Sequence, residues 1–203
     1  MNRNILVQTY IAPCGTLLLG SFRDKLCLCN WTEGKHPGRV DRRLQAKLAA
    51  CYMPQASDIT QAAARQLDEY FLGQRKSFDL PLLFAGSSFQ ESVWKQLMDI
   101  PYGQTVSYGE IARRIGRPTA VRAVANANGA NAISIFAPCH RVIGNDHSLT
   151  GYGGGIEAKR FLLCLESGRP AENLRHGSIP GFPPSQSSAK ASRRPGRQTS
   201  EAV

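Results

Sequence analysis

No apolar stretch in the 203-residue chain approaches the roughly 18 residues needed to cross a bilayer, so no membrane partner is expected. No secretory leader is expected, since Met1-Asn-Arg-Asn4 leads straight into a short apolar run at Ile5. The six cysteines (Cys14, Cys27, Cys29, Cys51, Cys139, Cys164) follow no disulfide framework, in a chain long enough to build its own core. A reducing, cytoplasmic setting is expected, nucleoid-associated if the source is bacterial. No Gly-x-x-x-x-Gly-Lys loop is present to cradle a nucleotide phosphate. Acidic residues are few, 15 against 25 Lys and Arg, and the formal net charge is +10. Residues 1–168 carry +6 of it and the remainder +4, so the place of the charge must decide what it serves.

Three strand-like runs open the chain, Ile5–Tyr10, Thr16–Ser21 and Leu26–Asn30, divided by turn residues. Their spacing predicts a small three-stranded antiparallel sheet in an N-terminal α/β unit, residues 1–86. Helical periodicity follows at Asp41–Cys51 and Ile59–Leu72, the second placing Ile59, Ala62, Ala63, Leu67, Tyr70 and Phe71 on one face. Cys27 and Cys29 share a strand face near His36, but the spacing fits no usual zinc pattern. Packing cysteines are the simpler reading, and no metal is expected. Phe78–Phe84, with Pro81, reads as an edge strand entering a linker at Ala85-Gly86-Ser87.

Residues 87–170 read as a mostly helical domain. Ser88-Phe-Gln-Glu91 and Ser107-Tyr-Gly-Glu110 both have the form of a capping box opening a helix. Gly116-Arg-Pro118 breaks the chain, and a further helix from Thr119 to about Asn128 completes a helix-turn-helix pattern, with Pro118 at its start. Ala120, Ala123, Val124 and Ala127 are the expected inward stripe, which turns Arg122 outward. Arg113, Arg114, Arg117 and Arg122 face one acid, Glu110, between Ser107 and Asn131. Such a cluster is either a solvated face or a nucleic-acid surface, and the small residues around Arg122 favour close approach to a groove. From residue 171 the composition turns to proline, serine and arginine, the pattern of a disordered basic tail.

Pro138-Cys139-His140-Arg141 follows an apolar run, Ile133–Ala137, read as a strand. On an extended segment Cys139 and His140 would point to opposite faces, so a bend or a bridging water would have to couple them. A thiol is a nucleophile only as the thiolate, which makes a nearby base matter. On the dipeptide alone, a buried structural cysteine is the simpler reading. Gly151-Tyr-Gly-Gly-Gly155 reads as a flap or pocket wall. In the last helix, Glu157–Ser167, Glu166 lies at the edge of the buried stripe. It is either a surface residue or the partner of an imidazole N–H.

These motifs, in this order, resemble the O(6)-alkylguanine-DNA alkyltransferases, also called methylated-DNA–protein-cysteine methyltransferases. The resemblance runs from about Phe89 to Gly168. It rests on Pro101-Tyr-Gly-Gln-Thr-Val-Ser-Tyr108, Arg122-Ala-Val124, Asn131 eight residues before Cys139, Pro138-Cys-His-Arg-Val142, Tyr152-Gly-Gly and Leu162-Leu-x-x-Glu166. It implies that Cys139 accepts the alkyl group, with a water, His140 and Glu166 as the activating relay. Tyr108 would protonate the departing guanine and Asn131 would brace the turn before the cysteine. Arg122 would fill the gap left by a base flipped from double-stranded DNA, approached from the minor groove, with Arg113, Arg117, Val121 and Asn126 also on the DNA side. Pro138, Val142, Tyr152 and Gly153 would form the guanine pocket. A monomer and no cofactor are implied, since the thiolate attacks the alkyl carbon directly.

Two positions depart from the family pattern. Gly153 replaces a hydroxyl residue of some relatives, and Val121 replaces a smaller residue beside the groove. The four-cysteine metal site of the adaptive-response sensors is missing, so no direct transcriptional role is expected. The competing readings are a lesion-binding helix-turn-helix protein that transfers nothing and a cysteine hydrolase. Retention of Cys139 with Tyr108 and Glu166 argues against the first, and the outward arginine against the second. Because residues 176–203 have no apolar periodicity, their removal should leave transfer rates nearly unchanged and weaken only nonspecific DNA affinity, an effect that fades with salt. Transfer rates of full-length and truncated protein at low and high ionic strength check this.

Overall fold

The computed structural model describes residues 4–34 and 38–168. His36 and the segment read as a basic tail lie outside the described residues. Strands β1 (Asn4–Ala12), β2 (Gly15–Phe22) and β3 (Lys25–Trp31) form a meander with antiparallel pairing, Val7 opposite Gly20 and Leu19 opposite Cys29. Alternation along β1 sends Ile5 and Val7 into the core.

The sheet has four strands, not three. Helix α1 (Arg39–Leu48) ends at Ala49, whose left-handed φ of 47° turns the chain, and β4 (Cys51–Pro54) then pairs parallel with β1. The order is β3-β2-β1-β4. Helical periodicity ran through Cys51 in the sequence, whereas the free edge of β1, far away along the chain, draws 51–54 into the sheet. Helix α2 (Asp58–Phe71) starts at Ser57, which exchanges hydrogen bonds with Thr60 in a reciprocal cap, and packs Ala63, Leu67 and Tyr70 inward.

The expected edge strand at 78–84 is largely irregular. Only Leu82 bridges to Leu26, with Leu26 N–H donating to Pro81 O and Leu83 N–H to Leu26 O. Pro81 has no N–H to offer a ladder, which limits pairing to this short contact. The following helix, α3 (Ser88–Met98), is capped one residue earlier than the sequence suggested, by Ser87 with Gln90. Helices α4 (Tyr108–Arg114) and α5 (Val121–Gly129) pack on each other and on α3. Trp94 Nε1 donates to Ala127 O at 2.8 Å, tying α3 to α5.

Pro118 lies in the turn, ahead of the helix start, and Ala123 is exposed. The inward face of α5 is Val124, Ala127 and Asn128. Two short strands, β5 (Val106–Ser107) and β6 (Val142–Ile143), pair in parallel, and α6 (Gly155–Ser167) closes the described chain. One hydrophobic core runs through both halves, from Ile5 and Leu19 to Trp94, Val124 and Leu162. No described helix is long and apolar enough to cross a membrane, and the described residues contain no cluster of His, Cys, Asp or Glu able to hold a metal ion.

Candidate active site

The stretch holding Cys139 is neither extended nor exposed. Residues 133–137 form turns rather than a strand, with only Ile133 bridged to Cys29, and Cys139–Arg141 make one turn of 3₁₀-helix. Three residues per turn rotate successive side chains by about 120°, so Cys139 and His140 still diverge. Asn131 shapes the approach: its Nδ2 donates to Ala137 O at 2.8 Å and its Oδ1 accepts from Ile133 N–H at 3.0 Å. Ile135 is held at φ 72°, a conformation that costs a β-branched residue about 1–3 kcal/mol and persists only under such bracing. Asn128, from α5, donates to Cys139 O at 3.2 Å.

The Cys139 side chain is 4% exposed and meets a cavity of about 430 Å³. One wall is α5 and its end (Ala125, Asn126, Asn128, Gly129), and another is Thr150–Gly153. Tyr108 joins these walls, its hydroxyl donating to Thr150 O at 3.3 Å. The far side comes from the N-terminal half, through Asn30, Trp31, Arg39 and Arg43. Trp31 meets Tyr152 edge-on at 5.9 Å, and Gly154 lies so close to the indole that a Cβ there would sit 2.5 Å from it. Of the predicted pocket residues, Tyr152 and Gly153 line the cavity. Pro138 and Val142 are buried and do not line it.

Behind the thiol lies a buried polar cluster. Glu166, at the edge of its stripe in the sequence, is 6% exposed and accepts five hydrogen bonds. His140 Nε2 lies 2.8 Å from its Oε1, and Arg141 binds both carboxylate oxygens at 2.9 Å. Gly103 N–H donates to Oε2 at 3.1 Å, from a turn where φ is 73° and a Cβ would press on Glu166 O at 2.9 Å. Tyr70 O–H donates to Oε1 at 2.8 Å.

Burial alone would raise the Glu166 carboxyl, but His140 and Arg141 outweigh it and hold the group well below the usual carboxylate range. Burial pushes His140 down, against the pull of Glu166. Since Arg141 already supplies a permanent counter-ion, we take His140 as neutral, donating from Nε2. Its Nδ1 is buried with no protein partner among the described residues. Burial pushes the Cys139 thiol up, opposed by Asn131, Lys159 and Ser134.

The sequence did not single out Arg141 beyond its place in the motif, nor Tyr70, Asn128 or Lys159 for the site. Lys159 is fully buried, donating to Val142 O at 2.7 Å and Thr150 O at 2.8 Å, and burial brings its ammonium down to about 8. It straps the strand after the cysteine to the glycine-rich wall. A signal existed: Lys159 shares a helix face with Leu162, Leu163 and Glu166 at i+3, i+4 and i+7.

Outside the cavity, Arg122 is exposed on α5 and makes no ion pair among the described residues. Val121 beside it is 36% exposed, and Asn126 is exposed on the cavity wall. Arg113 and Arg114 both pair with Glu110, at 2.6 and 3.1 Å, while Arg117 lies over the Phe89 ring.

Fold and site together define an α/β unit joined to a helical unit in which the buried Cys139 thiol adjoins a histidine–glutamate–arginine cluster. The family model for the DNA-binding domain of 6-O-methylguanine DNA methyltransferase matches residues 88–168. The methylated-DNA–protein-cysteine methyltransferase of Methanosarcina acetivorans is 44% identical over 155 residues, covering 76% of this chain and 94% of that one. The inducible enzyme of that name from Bacillus subtilis is 46% identical over 145 residues, covering 71% and 74%. The crystal structure of Mycobacterium tuberculosis O6-methylguanine methyltransferase superposes with a TM-score of 0.69 at 43% identity, over 82% of this chain and 94% of that one. A DNA complex of the mycobacterial protein scores the same, over 82% and 96%. The chain belongs to the methylated-DNA–protein-cysteine methyltransferase family.

Proposed function

We propose that this chain repairs DNA by moving a methyl or small alkyl group from O6 of guanine, and from O4 of thymine, onto its own Cys139, once per molecule. The observation that carries the reading is Cys139 facing a cavity of about 430 Å³, backed by His140, Glu166 and Arg141. The thiol proton passes to His140 Nδ1 through a bridging water. Sγ then attacks the alkyl carbon as the carbon–O6 bond breaks, and the bonding pair leaves with guanine. Tyr108 supplies the proton the departing base needs, and burial keeps that proton on Tyr108 at neutral pH. Lys159 stabilises negative charge developing on sulfur. No cofactor enters, because the acceptor is the protein and the resulting thioether has no route back.

Access requires the base to leave the duplex, since a buried thiol cannot reach O6 inside a stack. We read α4 and α5 as a helix-turn-helix placed in the minor groove by a monomer. Arg122 takes the vacated position, Val121 and Asn126 lie along the groove, and Arg117 and Arg113 meet phosphates. The Glu110 pairs of Arg113 and Arg114 reduce the free charge of that face, which leaves Arg122 and Arg117 as its stronger cations.

Intact-mass spectrometry after mixing the protein with duplex DNA containing O6-methylguanine tests the reading. One methylene equivalent gained per molecule is expected, and no gain rejects transfer. Arg122→Ala should slow duplex repair roughly ten- to hundredfold, because the few kcal/mol of unstacking lose their compensation. Reaction with free O6-alkylguanine base, which needs no flipping, should be nearly unchanged. Equal losses on both substrates would remove Arg122 from the flipping step.

A further inference from the structure

The five donors to Glu166 are unequally distributed along the chain. Four come from the C-terminal half: His140 Nε2, Arg141 Nε and Nη2, and Gly103 N–H. The fifth, Tyr70 O–H, comes from α2, across a sequence separation of 96 residues. That half of the chain lies outside the matched DNA-binding domain and contributes no other hydrogen bond to this carboxylate among the described residues. Tyr70 is fully buried. Its ring is wedged between Phe71 at 5.3 Å, Phe78 at 5.5 Å and Tyr102 at 6.2 Å.

We propose that Tyr70 is a positioning residue for alkyl transfer: its hydroxyl, delivered from the N-terminal half, fixes the Glu166 carboxylate so that His140 keeps its proton on Nε2 and leaves Nδ1 free to accept. The inference rests on the proposed transfer to Cys139. A carboxylate has about four lone-pair directions, and five donors saturate it. Oε1 is shared by Tyr70, His140 and Arg141, so each donor limits the electron density left for the others.

The sharing has a functional consequence. Were Oε1 reserved for His140, the imidazolium would be favoured and Nδ1 would arrive already protonated, unable to take the thiol proton. The Tyr70 bond holds Glu166 as an orienting acceptor that does not over-stabilise that cation. Burial, then Glu166, raise Tyr70 well above the ordinary phenol range, so it remains a donor at working pH. The other groups bearing on His140 are Lys159 and Glu166 from α6, adjacent Arg141, and the Tyr152 ring, edge-on at 6.4 Å. Among the described residues, only the Tyr70 hydrogen bond links this set to α2.

The test is the pH profile of alkyl transfer to full-length protein, using free O6-alkylguanine base so that DNA binding does not enter. In Tyr70→Phe, one donor to Oε1 is lost without changing ring volume. The acid limb should move to higher pH, and the plateau rate should fall roughly three- to tenfold from looser alignment. Tyr102→Phe, from the same aromatic cluster but with its hydroxyl on Leu165 O at 3.4 Å, should leave the acid limb in place. An unmoved acid limb in Tyr70→Phe, or an equal shift in Tyr102→Phe, overturns the proposal.

Should Tyr70→Phe not fold, the wild-type protein with ring-labelled tyrosine serves. The Tyr70 Cζ resonance should shift with the midpoint of His140, and its independence of that midpoint overturns the coupling. Absence of transfer in the wild-type protein itself would instead reject the Cys139 acceptor reading.

Discussion

Cys139→Ala is expected to abolish alkyl transfer completely while leaving the fold and DNA binding in place. No other cysteine can substitute. Cys27 and Cys29 are buried in β3, and burial pushes Cys27 up to about 12 and Cys29 higher still. Burial brings Cys14 to about 11, Cys51 is exposed on β4, and Cys164 packs in a separate small cluster with Ile143 and Leu163. None of these five lines the cavity. Removing one sulfur atom from a braced loop costs about 1 kcal/mol, too little to unfold a domain. Peptide mapping after exposure to alkylated DNA checks the assignment, and an alkyl group on any peptide lacking Cys139 would refute it. In the wild-type protein, burial disfavours both the thiolate and the imidazolium. The transfer rate should therefore rise with pH through the neutral range rather than peak at acid pH.

Glu166→Ala should be the most destabilising single change in the site, by about 3–5 kcal/mol, because it leaves the buried Arg141 cation without its partner. It also orphans the donors Tyr70 O–H and Gly103 N–H. Urea unfolding at neutral pH measures the loss, and a change within 1 kcal/mol, about the scale of an exposed pair, would show that the cluster contributes little. A paired replacement, Arg141→Met with Glu166→Leu, should recover part of it, since apolar side chains carry no desolvation penalty.

The acid behaviour has a definite sign. In the unfolded chain this carboxyl titrates near the ordinary value of about 4.3, whereas in the folded protein it is held well below that. As pH falls through 4, about the usual glutamate range, the unfolded state takes up a proton that the native state refuses, so stability is lost towards acid. Glu166→Gln, which cannot titrate, should show a flatter acid limb in its stability curve.

Several elements were legible because their causes are local. Ser107 caps α4 through a side chain three residues from its partner, as its sequence pattern suggested, and β1 to β3 alternate and turn within short loops. The ordered motifs from Pro101–Tyr108 through Arg122-Ala-Val124, Asn131, Pro138–Val142 and Tyr152-Gly-Gly to Glu166 carried the family resemblance, and the outward direction of Arg122 followed from helical periodicity alone. The four-stranded sheet was not legible. β4 exists because 51–54 meet a free edge supplied by residues 4–7, and no property of those four residues announces that edge.

The same distinction holds in the site. The sequence, through its resemblance to the alkyltransferases, assigned Cys139, His140 and Glu166 to one relay, which their spacing alone could not establish. Only the tertiary structure decided that Glu166 is fully enclosed, that Arg141 and Lys159 are buried cations, and that Tyr70 reaches the carboxylate from α2. The physical reason is that burial of a charge is tolerated only where distant segments together supply every hydrogen bond it needs, and that supply is a property of the packed chain, not of any window within it.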